Sequence, residues 1–542
     1  MKFVFVAVSV PALRQVREFE RRYRERWPAG ELAVECFYVA GREARYLLEP
    51  GKLQEAVRTA DVVVIDTMGA SEKLQETVRV ALERCEGERI VIGNTLREYL
   101  RLGSFSMAAM RKSRKKKEAK TEGGQKQKGN ALDKMHKMRR MALMLGNVLP
   151  FGVTRDMKNV FLLIDYWQQA TQEDIFSFFY LLLRQYGKQK FLPKEKPCTM
   201  EYGIYLKDPD TLECCPGVTE YWEKRKFQKE KDTVALLFYG HSYPNDFLPV
   251  VRAIMRELEG RYNILPVAFS QNEDGDLEKL EEIVCQNISP VAAVINLMPF
   301  RLGAGPMGGD AKRAVEILDR ADVPYLKPFC LTKVTQDEWK NSAGVNPGEF
   351  LISILLPELD GGILSMPAGV MGETEDGELP QLIPEKERIH TLGKRLDGLV
   401  NLQKKRNAEK KVAIIFYNYP PGESNVFGGA FLDTFASASG LLQQLKKASY
   451  QTEEMSPEKL REAFVTGGNC NCPEWYDENE KKIKGIVNGN VFLGLQPVRR
   501  EDTGRQESAE DYHDRNRKPT EEYQEFYRWI REDFEIGRAS CR

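Results

Sequence analysis

The chain has 542 residues, with 80 basic side chains balanced by 80 acidic ones, 42% hydrophobic content and 30% charged content. On a prior of one domain per ~150 residues this is chain for ~3–4 domains with real cores, and the zero net charge supplies no field that would call for nucleic acid or a membrane surface. No stretch reaches the ~18 uninterrupted apolar residues of a membrane span, and ten scattered cysteines without a paired framework fit a reducing, cytoplasmic setting.

The first ten residues, MKFVFVAVSV, resemble the apolar region of a signal peptide. A charged amphipathic segment follows with no small-residue cleavage site, so they read as a first strand. Residues 1–110 then alternate. Stretches 3–9, 33–38, 60–66 and 89–93 are short, apolar and β-rich, whereas 12–27 and 72–83 carry helical periodicity. Such alternation predicts an α/β domain with a parallel sheet and helices on its faces, the loops after Asp66 and Gly93 lying at the carboxyl edge.

Within segment 111–131 the composition collapses, over 111–129, to RKSRKKKEAKTEGGQKQKG, whose like charges repel and whose apolar content is nearly nil. It reads as a basic, disordered linker, with an acidic partner subunit as the functional alternative; no aromatic residues interleave the charges for base stacking. Residues 132–225 read as a helical insertion. Thr171 followed by Glu173 and Asp174 marks a helix start, 176–183 is strongly apolar, and the stretch ends at Cys214-Cys215-Pro216.

A second α/β domain is expected over 226–385, with strands at 234–239, 262–269 and 291–298 and helices at 247–259, 277–285 and 310–319. His241 sits in the loop after the first of these strands, at a carboxyl edge, and only four histidines exist, which argues against a three-histidine metal site. Gly303, Gly305 and Gly308 spell G-x-G-x-x-G between a strand and a helix, with Asp322 following. The dinucleotide reading is set aside because Pro306 has no N–H for a pyrophosphate and the motif is not in the domain's first turn. Glu358 and Asp360 read as a helix terminus entering Gly361-Gly362, and Cys470 and Cys472 as a loop.

Residues 386–534 begin a further α/β unit. A strand at 412–416 meets turn residues at 418–424, and from Asn425 onward apolar positions including Phe431, Phe435, Leu442 and Leu445 recur as a buried helix face requires. A loop between a strand's carboxyl end and a helix is placed to hold a ligand.

The segment NYPPGESNVFGGAFLDTFAS at 418–437 resembles the large subunits of magnesium chelatase and cobaltochelatase. LGSFSM at 102–107, ADVPYL at 321–326, LLPELDGGI at 355–363, NGNVFLGLQP at 488–497 and EFYRWIREDF at 525–534 agree with the same family, in order, over nearly the whole chain. The resemblance implies a fold of repeated parallel-sheet α/β units with a helical insertion. It implies a porphyrin-binding subunit that, with an ATPase motor of two AAA-type chelatase subunits, inserts Mg²⁺ as substrate into protoporphyrin IX for chlorophyll or bacteriochlorophyll, with no nicotinamide. Magnesium is favoured over cobalt because LGSFSM and the helical insertion look more like that branch. A cobaltochelatase subunit of cobalamin synthesis, or a non-catalytic tetrapyrrole carrier or sensor, are the alternatives. The sequence has no G-x-x-x-x-G-K-[ST] phosphate loop, so ATP hydrolysis is expected on the partners. Tetrapyrrole-binding candidates are His241, the glycines Gly303, Gly305 and Gly308, the stacking residues Tyr417 and Tyr419, and the hydrogen-bonding residues Asn418 and Asn425. Family members continue beyond a segment like EFYRWIREDF to a His-x-Gly-Thr-His-Gly-x-Leu-Glu motif. Its absence here leads to the expectation of a truncated chain whose catalytic residues lie beyond it, with 386–534 an incomplete chelatase domain, 535–542 an artefactual tail, and the fragment inactive alone.

Overall fold

The computed structural model describes residues 1–28, 30–39, 50–93, 95–110, 131–198, 201, 203–242, 245–270, 276–285, 290–305, 308–372, 379–416, 431–465, 485–496 and 518–536. The chain forms two compact units, Met1–Gly393 and Lys394–Arg542. Its class is mixed α/β with repeated sheets, as the alternation of patterns predicts.

In the first unit, β1 (Lys2–Ala7), β2 (Ala33–Tyr38), β3 (Val62–Asp66), β4 (Glu88–Ile92), β5 (Arg101–Leu102) and β6 (Phe105–Ser106) form a sheet in the order β2-β1-β3-β4-β5-β6, the first four strands parallel. All five residues of β3 are buried, because a parallel strand between helical layers meets protein on both faces. Helix Val10–Arg26 starts at the Ser9 cap with Pro11 in its first turn, where no N–H is needed, and buries Leu13, Val16, Phe19 and Tyr23 as one stripe.

The residues read as a helical insertion divide between two sheets. Helices Gly152–Gln169 and Gln172–Gln185 complete the core of the first sheet: Phe179 stacks on Phe19 at 4.1 Å between ring centroids and Trp167 on Phe5 at 5.6 Å. The apolar run 176–183 is therefore core. By contrast, β7 (Ile204–Lys207) and β8 (Cys214–Cys215) pair into the second sheet. The LGSFSM stretch is the β5–β6 hairpin, with Leu102, Phe105 and Met107 buried and its backbone held by Asp156 from helix Gly152–Gln169.

The second sheet runs β14-β11-β9-β10-β7-β8, where β9 is Thr233–Tyr239, β10 Asn263–Phe269, β11 Val291–Asn296 and β14 Tyr325–Leu326. Strands β14, β11, β9 and β10 are parallel, and β7 is antiparallel to β10. Two smaller sheets follow: the hairpin of β12 (Ala304–Gly305) and β13 (Gly308–Gly309), and the sheet of β15 (Phe329–Thr335), β16 (Pro367–Gly372) and β17 (Gln381–Pro384).

The second unit has a sheet in the order β18-β20-β19, from β18 (Val412–Phe416), β19 (Gly485–Asn488) and β20 (Val491–Leu495). Strand alternation divides its cores: Val491 and Leu493 pack with Phe435, Leu442 and Phe464, while Phe492 between them packs with Phe526, Trp529 and Phe534. The helix expected from Asn425 begins instead at Thr434, where the Asp433 carboxylate accepts the N–H of Ala436 at 3.0 Å. Phe431, just before it, has a left-handed backbone (φ 62°) and is fully exposed, so it is outside the buried stripe that spacing assigned to it.

The NGNVFLGLQP stretch contains the β19–β20 hairpin, turned at Gly489 with φ 61°. A Cβ there would lie 2.3 Å from the Gln451 carbonyl oxygen, so Gly489→Ala combines a left-handed strain with a backbone clash. Its expected cost is about 2 kcal/mol in urea denaturation followed by the fluorescence of this unit. A variant as stable as wild type would show that the turn rearranges freely.

Candidate functional site

In open α/β sheets, ligands bind outside the carboxyl ends of two neighbouring strands whose onward connections leave in opposite directions. The first unit has two such places. In the first sheet the pair is β1 and β3, and the crevice is filled from within. Ser9, Asp66, Thr67 and Trp167 are buried, and the Trp167 indole Nε1 donates to Asp66 Oδ2 at 3.0 Å.

In the second sheet the pair is β9 and β11, and there the edge stays accessible. His241 and Ser242 after β9, and Pro299, Phe300, Arg301 and Gly303 after β11, are all half-buried. The two loops leave hydrogen-bonded neighbours, since the Leu297 N–H donates to the Leu237 carbonyl at 3.0 Å.

The His241 loop is held from beneath. The Gly240 N–H donates to the Phe269 carbonyl at 2.7 Å, and the buried Lys207 ammonium donates to the Gly240 carbonyl. Burial lowers the Lys207 pKa and raises that of Asp246, whose carboxylate accepts the Leu248 N–H at 3.0 Å where helix Leu248–Leu258 starts. Arg14 also interacts with Asp246 and donates to the carbonyls of Leu379 and Pro380, both at 3.1 Å. The His241 imidazole lies near-parallel to the Tyr239 ring, 5.6 Å between centroids, and burial pushes the Tyr239 hydroxyl up to about 12. The neutral phenol therefore offers the imidazole an uncharged aromatic face.

The glycine motif forms a hairpin instead of a phosphate loop. Gly303 has φ 73°, its carbonyl accepts the Asp310 N–H at 2.9 Å, and Gly305 and Gly308 pair across β12 and β13. The helix that follows, Ala311–Ala321, is capped by the Asp310 carboxylate, which accepts the Arg313 N–H at 2.9 Å. A pyrophosphate would there meet a carboxylate where it needs free N–H groups. Asp322, the acidic residue that completed the dinucleotide pattern, ends the helix in a left-handed conformation.

Asp360 ties the hairpin down. Its side chain is fully buried; Oδ1 accepts the Arg301 Nε at 2.7 Å and Nη2 at 2.6 Å, while Oδ2 accepts the Leu302 N–H at 2.9 Å. The reading of Asp360 as a helix-terminal residue is thus structural, and its partner Arg301 keeps a third of its side chain exposed at the crevice. Arg301, Lys207 and Asp246 escaped the sequence reading. Arg301 stands two residues ahead of a glycine motif that drew attention to itself, and Asp246 stands just ahead of an apolar helix, as capping residues do.

Of the sequence-derived candidates, His241 and Gly303 thus flank the same crevice, on loops leaving adjacent strands. The backbones of Gly305 and Gly308 belong to the hairpin beside it. Tyr417, Asn418, Tyr419 and Asn425 lie outside the described residues and belong to the second unit. Among the described residues, no cluster of three or more His, Cys, Asp or Glu side chains could hold a metal ion, and no helix is long and apolar enough to cross a membrane.

A family model described as CobN/Magnesium Chelatase matches residues 164–482 and 474–537. The chain belongs to this family. It is 24% identical to the magnesium-chelatase H subunit of Cereibacter sphaeroides over 89% of this chain and 44% of that protein. It is 25% identical to the aerobic cobaltochelatase subunit CobN of Pseudomonas aeruginosa over 58% of this chain and 28% of that protein. The fold is similar to that of the catalytic subunit of cobaltochelatase from Mycobacterium tuberculosis, with a TM-score of 0.53 at 18% identity, over 98% of this chain and 41% of that one. The chain therefore spans less than half the length of these relatives. For a member of this chelatase family, a crevice bordered by an imidazole, a guanidinium and glycine backbone offers a proton acceptor and an anion partner at one rim.

Proposed function

We propose that this chain is the tetrapyrrole-binding part of an ATP-dependent metal chelatase large subunit, and that it holds protoporphyrin IX while Mg²⁺ is inserted. The observation that carries this reading is the accessible crevice between β9 and β11 in a chain of the chelatase family, whereas the corresponding crevice of the first sheet is filled by Trp167. Its rim has groups suited to a flat ring with acidic substituents: the His241 imidazole on its Tyr239 platform and the Arg301 guanidinium. Insertion exchanges two pyrrole N–H protons for a cation that gives up its waters reluctantly, which calls for a base near the ring and an external source of work. His241 is the base candidate of this unit. ATP hydrolysis belongs on AAA-type partner subunits, since the sequence has no phosphate loop of the G-x-x-x-x-G-K-[ST] form. A cytoplasmic location fits this role.

Cobalt is the second reading, supported by the likeness in sequence to an aerobic cobaltochelatase subunit. A version of the chain extended to the length of the chelatase H subunits, mixed with ATPase subunits, protoporphyrin IX and either Mg²⁺ or Co²⁺, separates the two by the absorption spectrum of the product. Tight binding without insertion of either ion would instead favour a carrier or sensor. For the site, His241→Ala is expected to weaken porphyrin binding about tenfold in a fluorescence titration. An unchanged dissociation constant in a folded variant removes His241 from the site.

A further inference from the structure

The helix that anchors the glycine hairpin is built inside out. It runs as Pro347–Phe350 in α geometry, Leu351–Leu355 in π geometry and Leu356–Glu358 in α geometry again. Three of its polar residues point into the protein: Glu349, Ser353 and Asp360 are all at most 5% exposed, and the Ser353 hydroxyl donates to Glu349 at 2.7 Å, while Glu358 is exposed. Ile354 packs on the core of Phe329, Leu331 and Val370, but other large apolar residues face water. Phe350, Leu351, Leu355, Leu359 and nearby Ile363 are 42–61% exposed. A surface helix ordinarily buries its apolar stripe, so a face of five such side chains left in water marks a binding surface.

The π turn and the crevice are one construction. The Ile352 carbonyl, within the π turn, accepts the Phe300 N–H at 2.7 Å, and Phe300 has φ 66°. Arg301 follows, paired with Asp360, the residue after Leu359. Both contacts of the guanidinium, from Nε and Nη2, converge on Asp360 Oδ1, so Nη1 has no partner among the described residues. π turns persist where function requires them, because they give up regular hydrogen bonding. Here the turn brings an apolar helix face and a partly exposed cation to the rim of the β9–β11 crevice.

We infer that this face is the platform for the flat ring of a tetrapyrrole, with Arg301 taking one of its peripheral carboxylates. The inference rests on the tetrapyrrole reading above and assigns it a surface. Charge and shape choose the occupant: a ligand that is apolar across its faces and anionic at its edge matches a leucine-rich strip ending in a guanidinium.

Deuteroporphyrin IX titrated into the whole chain, read by tryptophan quenching, tests it. Leu355→Glu and Leu359→Glu put a carboxylate on the strip at positions that water already reaches, so the fold should tolerate them, and each is expected to weaken binding about tenfold. Leu441→Glu, at an exposed leucine of the other unit, is expected to bind as wild type does. Wild type is expected to prefer the free acid over its dimethyl ester. The charge-balanced double variant Arg301→Gln with Asp360→Asn should lose that preference, whereas a retained preference would overturn the role of Arg301. Wild-type affinity in both leucine variants, with native circular dichroism, would overturn the platform while leaving tetrapyrrole binding intact. If those variants instead abolish self-association of the chain and leave porphyrin affinity unchanged, the face is a polypeptide interface and the inference fails. No porphyrin binding by wild type would remove both this surface and the reading beneath it.

Discussion

Lys327→Met is expected to stabilise the 1–393 unit by on the order of 4 kcal/mol at slightly acid pH. Lys327 follows β14 directly, is fully buried, and its Nζ has no hydrogen-bond partner among the described residues. Burial brings its pKa down to about 7, opposed by nearby Cys330 and Glu349. An ammonium ion there carries a desolvation cost that no partner offsets, whereas a thioether of similar length leaves only apolar contacts. Proton linkage sets the sign. The unfolded side chain titrates near ~10.4 and the folded one near 7, so the native state binds fewer protons between those values and wild-type stability rises with pH across that window. The cost is full below the folded pKa and gone above the unfolded one. Cys330, whose thiol burial pushes up, acts in the opposite sense above its unfolded pKa of ~8.5, but burial, its main cause, is common to both proteins, and only the smaller opposing effect of the Lys327 charge differs between them. Glu349, raised mainly by burial, is likewise shared. Urea midpoints of the two proteins at about pH 6, 8 and 10 should show a gap that narrows above neutrality by roughly 1.4 kcal/mol per pH unit and nearly closes at the last. A gap that does not change with pH would mean that the amine is not neutral in the native state.

Asp156→Ala should be nearly as large in the other direction, costing about 3–4 kcal/mol. The Asp156 side chain is fully buried and accepts the Ser104 N–H at 2.7 Å, the Arg155 Nε and Nη2 at 2.9 and 2.8 Å, and the Tyr186 hydroxyl at 2.7 Å. Removing it strands the Ser104 N–H and the Tyr186 O–H donor in the seam between the LGSFSM hairpin and the helix that carries Trp167, whereas the Arg155 guanidinium, 38% exposed, can turn to water. Gly103, in that hairpin, has φ 53°, and a Cβ on it would lie 2.4 Å from Asp156 Oδ2. The two substitutions should therefore be coupled: Gly103→Ala is expected to cost less in the Asp156→Ala background, because the clash goes with the carboxylate. Additive costs in a double-mutant cycle would place the hairpin elsewhere than against Asp156.

The local signals in this chain were strong where one stretch of residues decides its own structure. Period-two and period-3.6 patterns placed β1, β3, β9, β10 and β11, and Thr171 began a helix, its hydroxyl accepting the Asp174 N–H at 3.1 Å. The carboxyl-edge positions of His241 and Gly303 follow from that alternation alone, and the ordered run of family stretches over nearly the whole chain already pointed to the chelatase family. Spacing misled where a nearby cap outranked it: Asp433 starts the helix of the second unit, although apolar residues keep the same rhythm from Asn425.

What no local pattern carries is the choice between alternatives that are equally good for the segment itself. Strand β7 pairs with β10, far along the chain, and so leaves the helices that precede it to the first sheet. Trp167 closes one crevice, and nothing in its own helix says that the other lies accessible. The run 350–359 is apolar in sequence, and burial is the ordinary outcome for such a run; only the seating of Glu349, Ser353 and Asp360 against the protein turns its leucines outward. Sequence determines which faces can be buried, because side-chain chemistry and backbone period are local. Tertiary structure decides which of them are buried, because buried polar groups such as Asp360 must find partners from distant parts of the chain, and meeting that need leaves other faces in water.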